Sequence, residues 1–560
     1  MNLKNSKAVM LIIILNFASQ AGHAANVTKA AIASANPLAT YAGFEILDQG
    51  GNVFDAAVAV SAALAVVEPS GSGLGGGGFW LLHRASDGFE VMLDGREKAP
   101  MAAHANMFLD AQGQVNKTQT LDSGLAAAIP GMPAAMVHLS ERYGRLPLSK
   151  TLAPAIRYAR QGFKVGERHL KLLKFRSEVI KKQTEAASIF LVNGALPAEQ
   201  SVLIQEDLAK TLEAIADEGR DGFYSGTIAQ KLLTGVADAG GNWTQADLDA
   251  YEVLERKPVK GVYRGITVTS AAPPSSGGVV LLEALNILSN YDLNQTSPLT
   301  TKHLVVEAMR HAYHDRALYL GDPDYVKIPV EQLLSQDYAA GQRSSIRPDK
   351  ALPSEALAGV IKDQPAGVDT THFSIIDEEG NRVAATMSIN FPFGAGIVPK
   401  GTGVLLNDEM DDFSAKAGDP NGYGLVGGVA NAIQQGKRML SSMTPTFLED
   451  QERVAVLGTP GGSRIISMVL LATLDFAKGH DQHSWVQLPR FHHQYQPDEI
   501  IYEQNALSSD ELSQLKNMGH QLKLARYAYG NMQAVQLHKA TKALAAASDP
   551  RAEGYAGVRE

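Results

Sequence analysis

Residues 368–394 read VDTTHFSIIDEEGNRVAATMSINFPFG, and how this stretch is read decides the fold. It has the pattern of a β-hairpin. Phe373, Ile375 and Val383 are strand formers, and Glu379-Gly380-Asn381 is a polar turn whose glycine takes φ > 0 without strain. Thr370 and Thr371 stand just before the first strand, with Asp369 ahead of them. A threonine hydroxyl inside a chain needs a base beside it to act as a nucleophile. A threonine at a new N-terminus brings its own α-amine, whose reference pKa is about 8 against about 10.4 for lysine. That amine takes the hydroxyl proton directly or through water. Two threonines opening a strand are also ordinary β-formers, so the rest of the chain has to decide whether it is cut before Thr370.

The 560 residues are 45% hydrophobic, enough for a large core, and carry a formal net charge of −9. That charge argues against nucleic acid, whose binding needs a basic footprint. The absence of cysteine excludes disulfides, thiolate metal ligands and a Cys nucleophile. Lys4 and Lys7 precede an apolar run from Ala8 to Leu15, and Ala21-Gly22-His23-Ala24 offers small residues for cleavage. This pattern predicts a secretory signal peptide over residues 1–24 and an exported protein, in the periplasm or the medium, with no membrane attachment after processing. The apolar run is shorter than the roughly 20 residues of a spanning helix.

Upstream of the hairpin, Ala30 to Gly50 reads as a first helix, and Asp55 as the cap of an Ala/Val-rich buried helix ending at Glu68-Pro69. In GSGLGGGGF, Gly71, Gly73 and Gly76 match G-x-G-x-x-G, yet a helix precedes and a strand from Phe79 to His83 follows, the reverse of the dinucleotide-binding context. These glycines read as letting backbone pass close to a site or a neighbouring segment. The next strand ends at Asp94-Gly95-Arg96-Glu97. Arg96 there is either a surface ion pair or a planar fork for a carboxylate. Residues 125–250 read as largely helical. AAPPSSGG is a turn opening an amphipathic helix, and the helix after it carries His303, His311 and His314, which form no HExxH and are expected on a helix face or in the core rather than on a metal. Residues 344–368 are polar and broken by Pro and Gly, the composition of a flexible connector.

Downstream, Val404 to Leu406 reads as a short strand ending in Asp408, Glu409, Asp411 and Asp412, without the spacing of a calcium loop. A solvated acidic turn is the expectation from spacing. Gly418 to Gly428 is a glycine-rich loop carrying Tyr423, a candidate lid. After Ser441-Ser442 comes a strand, the Gly461-Gly462 turn and an apolar helix. Backbone N–H groups at such a turn suit an anion, and with no P-loop lysine following, an oxyanion is the better reading. His492 and His493 are adjacent on a strand, point to opposite faces and read as structural. No metal or cofactor site is expected.

Taken together, DTTHFSIID, NDEMDDFS, YGLVGG, SSMTPT, GTPGGSRII and PRFHHQ closely resemble the γ-glutamyltransferase (glutathione hydrolase) family, and GSGLGGGGF, DGREKAP, PPSSGG and YLGDPDYV match it too, in order along nearly the whole mature chain. The resemblance implies an α/β, four-layer αββα N-terminal-nucleophile hydrolase. It implies a precursor that cuts itself between Asp369 and Thr370 into a large subunit (25–369) and a small one (370–560) that stay paired as a heterodimer. It assigns Thr370 as nucleophile and α-amine base, Ser388 as assisting hydroxyl where the family pattern has threonine, and Gly461 and Gly462 as the oxyanion hole. Asn390, Glu409 and Asp412 match the grip on the substrate α-ammonium, and Arg96, Ser441 and Ser442 the grip on its α-carboxylate. One end of an amino acid needs acceptors and the other a guanidinium fork. The substrates implied are glutathione and related γ-glutamyl compounds, with water or an amine as acceptor. Phe391-Pro392 departs from the smaller residues expected after Asn390, and the proline removes an N–H. The competing readings are an acylase for glutaryl, cephalosporin or poly-γ-glutamate substrates, and an uncut exported binding protein.

Overall fold

The computed structural model describes residues 28–357 and 370–559. The signal segment, Asp369 and the last part of the connector lie outside them. The quoted stretch forms the central hairpin of a seven-stranded sheet. Its strands, Thr371–Asp377 and Arg382–Ser388, pair antiparallel across a turn in which Gly380 has φ +99°. From one edge the sheet runs Tyr555–Arg559, Ala30–Ser34, the hairpin, Gly77–Arg84, Phe89–Gly95 and Leu254–Arg256, antiparallel throughout.

Side chains alternate across the hairpin, as strand geometry requires. Phe373, Ile375, Val383, Ala385 and Met387 join a core with the helix Val53–Val67. His372, Ser374, Ile376 and Ala384 turn the other way, toward a second sheet of six strands. That sheet runs Leu544–Ser548, Gln533–His538, Arg453–Gly458, Thr446–Glu449, Ile266–Ser270, Val259–Tyr263, again antiparallel. Helices Gly277–Leu288 and Ile465–Ala477 cover its outer face, with Pro298–Tyr319 packed on the first of them. The order helix, sheet, sheet, helix is the αββα sandwich expected from the sequence.

Three local readings change. Ala30–Ser34 is a strand, and the helix starts only at Pro37–Asp48. The cap of Val53–Val67 is Asn52, whose side chain accepts from Phe54 and Asp55 backbone N–H groups, while Asp55 returns the bond to the Asn52 N–H at 2.9 Å. Asp55 therefore closes a capping box from the third helical position. Val404 to Leu406 is not a strand; Leu406 makes a single bridge to Gly75.

The glycine run serves close approach. A Cβ on Gly75 would strike the Leu405 carbonyl, and one on Gly76 the Ser388 carbonyl. Both obstacles are backbone, so only glycine lets the three segments meet.

Candidate active site

Thr370 immediately precedes the Thr371–Asp377 strand and is buried. The hairpin register sets Met387 opposite Thr371, so Ser388 and Thr370 fall at the same end of the hairpin. Both line a cavity of ≈ 20 Å³, about the room of one water. Arg96, Asn390, Glu409 and Asp412 line it as well. So do Tyr423, Ser441, Ser442 and Gly462. Of the described residues that the resemblance assigns to catalysis or to the substrate grip, only Gly461 is not on the wall, and it is the neighbour of Gly462. Segments far apart in sequence therefore converge on Thr370.

Arg96 is 0% exposed, not at the surface. Its Nη1 donates to Glu409 Oε2 at 2.7 Å and its Nη2 to Asp412 Oδ2 at 2.6 Å. Its Nε donates to the Met439 carbonyl at 3.3 Å, and Glu97 Oε2 lies 3.5 Å from Nη1. The residues expected to hold opposite ends of an amino acid thus hold each other. One cation faces three carboxylates here. Burial works against the Arg96 charge, but Glu409, Glu97 and Asp412 more than restore it and hold its pKa above the ordinary value. Burial, and then the Glu409 charge, push the Glu97 carboxyl well up. Burial pushes Glu409 up to about 7, against the pull of Arg96 and with a further push from Asp412.

The acidic cluster is not a solvated turn. Asp408, Glu409 and Asp411 are buried, and Asp411 is pushed up to about 6 by burial. The cluster anchors the loop that carries Tyr423: the Gly422 N–H donates to Asp411 Oδ2 at 2.6 Å, and Asn421 Nδ2 to Asp412 Oδ1 at 3.1 Å. The Tyr423 ring lies over Gly462, where a Cβ would collide with it, and its hydroxyl donates to the Asn390 carbonyl at 2.8 Å. Phe391 packs against that ring with centroids 5.2 Å apart. Asn390 has φ +72°; its side chain donates to the Asp408 carbonyl at 2.9 Å, leaving its Oδ1 as an acceptor. Ser388 Oγ accepts from the Asn390 N–H at 2.7 Å.

Gly461 and Gly462 have φ +142° and +58°, and Gly462–Arg464 is a single 3₁₀ turn running into the helix Ile465–Ala477. Free N–H groups at a helix start are suited to a developing negative charge. Ser441 and Ser442 are fixed by residues that the sequence did not mark. Ser276 donates to the Ser441 carbonyl from both its N–H (2.8 Å) and its hydroxyl (2.7 Å). Arg316 Nη2 donates to Ser442 Oγ at 3.2 Å. Ser276 belongs to the PPSSGG turn, whose motif was legible while its contact was not; Arg316 carried no signal.

Among the described residues, His303, Glu307 and His520 are the group spaced to hold a metal. His303 Nε2 lies 2.7 Å from the Arg347 carbonyl and must carry the proton, which leaves Nδ1 to accept from His520 Nε2 at 2.8 Å. Two nitrogens on a tetrahedral zinc, each about 2.0–2.1 Å from the ion, would stand roughly 3.3 Å apart. The group reads as a hydrogen-bonded pair beside a carboxylate, in keeping with the core role expected for His303. His492 and His493 likewise make separate bonds, to Ser467 and Gln494 and to Asp498.

A profile of the gamma-glutamyltranspeptidase family matches residues 39–558. The glutathione hydrolase proenzyme of Pseudomonas sp. (strain A14) is 45% identical over 494 residues, covering 87% of this chain and 85% of that one. The glutathione hydrolase proenzyme of Escherichia coli (strain K12) is 42% identical over 537 residues, 94% and 91% of the two chains. Among solved structures, the cephalosporin acylase from Bacillus halodurans superposes with a TM-score of 0.83 at 28% identity, over 95% of this chain and 96% of the other.

Proposed function

The chain belongs to the γ-glutamyltranspeptidase family, and from that premise we propose that it is a self-cutting glutathione hydrolase and γ-glutamyltransferase with Thr370 as its nucleophile. The observation that carries the reading is the pocket itself, where Thr370 shares a wall with Arg96 and with two carboxylates paired to it. Removing the partner of a buried charge is costly. A zwitterionic amino-acid head can replace these ion pairs one for one, its carboxylate taking Arg96 and its ammonium taking Glu409, Asp412 and Asn390 Oδ1. A glutaryl head has no ammonium and would leave the two carboxylates without a partner, so the acyl group favoured is γ-glutamyl.

In the first step Thr370 Oγ attacks the Asp369 carbonyl carbon, and the peptide C–N bond breaks to leave an ester and a free α-amine. Water opens the ester, giving the Asp369 carboxylate and restoring the hydroxyl. In turnover the α-amine takes the Thr370 hydroxyl proton as Oγ attacks the γ-amide carbon, with Ser388 assisting. The N–H groups of Gly461 and Gly462 receive the oxyanion. The proton passes to the leaving amine, cysteinylglycine when glutathione is the donor. Water then releases glutamate, or an amine acceptor takes the γ-glutamyl group as a new amide. Tyr423 closes over the acyl group. The signal-peptide pattern of residues 1–24 supports an exported enzyme, and in this reading residues 25–369 and 370–560 stay paired as its two subunits.

The test is intact mass under denaturing conditions for wild type and Thr370→Ala, followed by rates on γ-glutamyl and glutaryl anilides. Two fragments in wild type, the smaller beginning at Thr370, an uncut variant and preference for the γ-glutamyl anilide are expected. A folded wild type that stays in one piece would turn the reading toward a binding protein, and a preference for glutaryl toward an acylase.

A further inference from the structure

Arg316 lies in the helix Pro298–Tyr319, is buried, and among the described residues forms no ion pair. Its guanidinium is held by hydroxyls instead. Nε donates to Ser276 Oγ at 2.9 Å and Nη2 to Ser442 Oγ at 3.2 Å. Ser276 in turn donates its own hydroxyl proton to the Ser441 carbonyl at 2.7 Å. One guanidinium therefore reaches both serines of the pocket, Ser442 through its side chain and Ser441 through Ser276. Burial pushes the Arg316 pKa down to about 10, with the Asp412 charge pulling it back up and the Arg96 charge pushing it further down. A buried cation in that state gains from any anion brought near it.

The direction of these bonds has a consequence. A hydroxyl that accepts from a guanidinium has a lone pair committed, and its own hydrogen is left to donate elsewhere. At Ser442 the pocket is the open side.

We infer that Arg316 is a positioning residue for the substrate α-carboxylate, turning Ser442 into a donor toward the pocket and fixing the Ser441 main chain through Ser276, so that it selects γ-glutamyl donors over analogues lacking that carboxylate. This rests on the proposed function. It adds a second cation, behind the serines, to the Arg96 fork in front of them, and it gives the PPSSGG turn a task in recognition.

The test uses the self-cut enzyme, with wild type, Arg316→Met, Arg316→Lys and Ser276→Ala. KM and kcat are measured on L-γ-glutamyl anilide and on 4-aminobutyryl anilide, which keeps the ammonium and lacks the carboxylate. Calorimetric binding of L-glutamate and 4-aminobutyrate to the same proteins runs alongside. A charge-assisted hydrogen bond of about 1.5–3 kcal/mol corresponds to roughly a ten- to hundredfold change in binding. Arg316→Met is expected to raise KM for the γ-glutamyl anilide at least tenfold, with the loss in KM rather than kcat and the 4-aminobutyryl anilide little affected. Lysine, which keeps the charge but gathers its donors on one nitrogen in place of the spaced Nε and Nη2, falls between. Equal losses on both anilides, or a change under twofold, would overturn the inference. If Arg316→Met fails to fold, Ser276→Ala, which removes one hydroxyl, carries the same comparison. A wild type inactive on both anilides would refute the functional reading, while the glutamate binding would still decide the role of Arg316.

Discussion

At Arg96 one guanidinium serves three carboxylates, two of them fully buried, so deleting the cation and deleting one anion have opposite structural consequences. Arg96→Met would strand Glu97, Glu409 and Asp412, and leaving buried charge without its partner costs about 3–5 kcal/mol. A clear fall in melting temperature and loss of turnover are expected, read by calorimetry and anilide hydrolysis. Glu409→Gln keeps the shape and removes one of the three carboxyl groups crowded around Arg96. Its melting temperature should hold or rise while KM for a γ-glutamyl donor increases about tenfold. The pH dependence follows with its sign. The folded-state pKa of Glu409 is raised to about 7 from 4.5, and that of Asp411 to about 6 from 3.8. Between each pair of values the folded state holds the extra proton. The associated stability is complete below the unfolded values and is lost as pH rises through 6 and 7. The melting temperature should therefore fall from pH 5 to pH 8, less steeply in Glu409→Gln. Donor binding moves the other way, since the substrate ammonium needs the ionised carboxylate. A melting temperature that rose across this interval would contradict the assignment. None of this burial was legible in the sequence, where NDEMDDFS has the composition of a surface turn and the covering layers come from residues hundreds of positions away.

The elements around Thr370 were legible in proportion to how far local chemistry alone dictates them. The hairpin alternates cleanly about a glycine turn and was read with its strand and turn residues in place. Ala30–Ser34 was misread because AAIAS has helical propensity, and only pairing to Tyr555–Arg559 and Thr371–Asp377 makes it a strand. The glycine run was read for close approach, and its partners are now defined. Gly76→Ala would press a methyl onto the Ser388 carbonyl, and Ser388 is the residue beside Thr370. The strand has to give way, at roughly 1–3 kcal/mol, and Thr370 loses its neighbour. A lower melting temperature and a reduced fraction of self-cut chain by mass are expected together. Gly341, inside the helix Gln336–Arg343 with open space around it, is the contrast. Gly341→Ala should stabilise by up to about 1 kcal/mol and leave cutting intact. If both substitutions behaved alike, close approach would not be the reason for glycine at position 76.

Across the whole molecule, both sheets are built from residues on either side of the proposed cut. In the seven-stranded sheet Ala30–Ser34 lies between Tyr555–Arg559 and Thr371–Asp377, while Gly77–Arg84 pairs with Arg382–Ser388. In the six-stranded sheet Ile266–Ser270 pairs with Thr446–Glu449. The connector was expected to be flexible from residue 344, yet Ser354 is buried. It donates its N–H to Asp498 at 2.7 Å and its hydroxyl to the Tyr495 carbonyl at 2.7 Å, and accepts from Arg310 at 2.6 Å. Proline and polar residues advertise a loop, and three hydrogen bonds at one serine leave no trace in composition. A cut before Thr370 would thus produce two chains sharing two hydrogen-bonded sheets, with residues of both in each of the two large cores. They should co-elute at the mass of the pair in native buffer and unfold in one transition. Because that transition releases two chains from one particle, the melting temperature of the cut wild type should rise with protein concentration. Uncut Thr370→Ala, which unfolds to a single chain, should show no such dependence. Calorimetry of both proteins over a hundredfold range of concentration makes the comparison, and two separate transitions in the cut protein would mean that the halves fold independently despite the shared sheets.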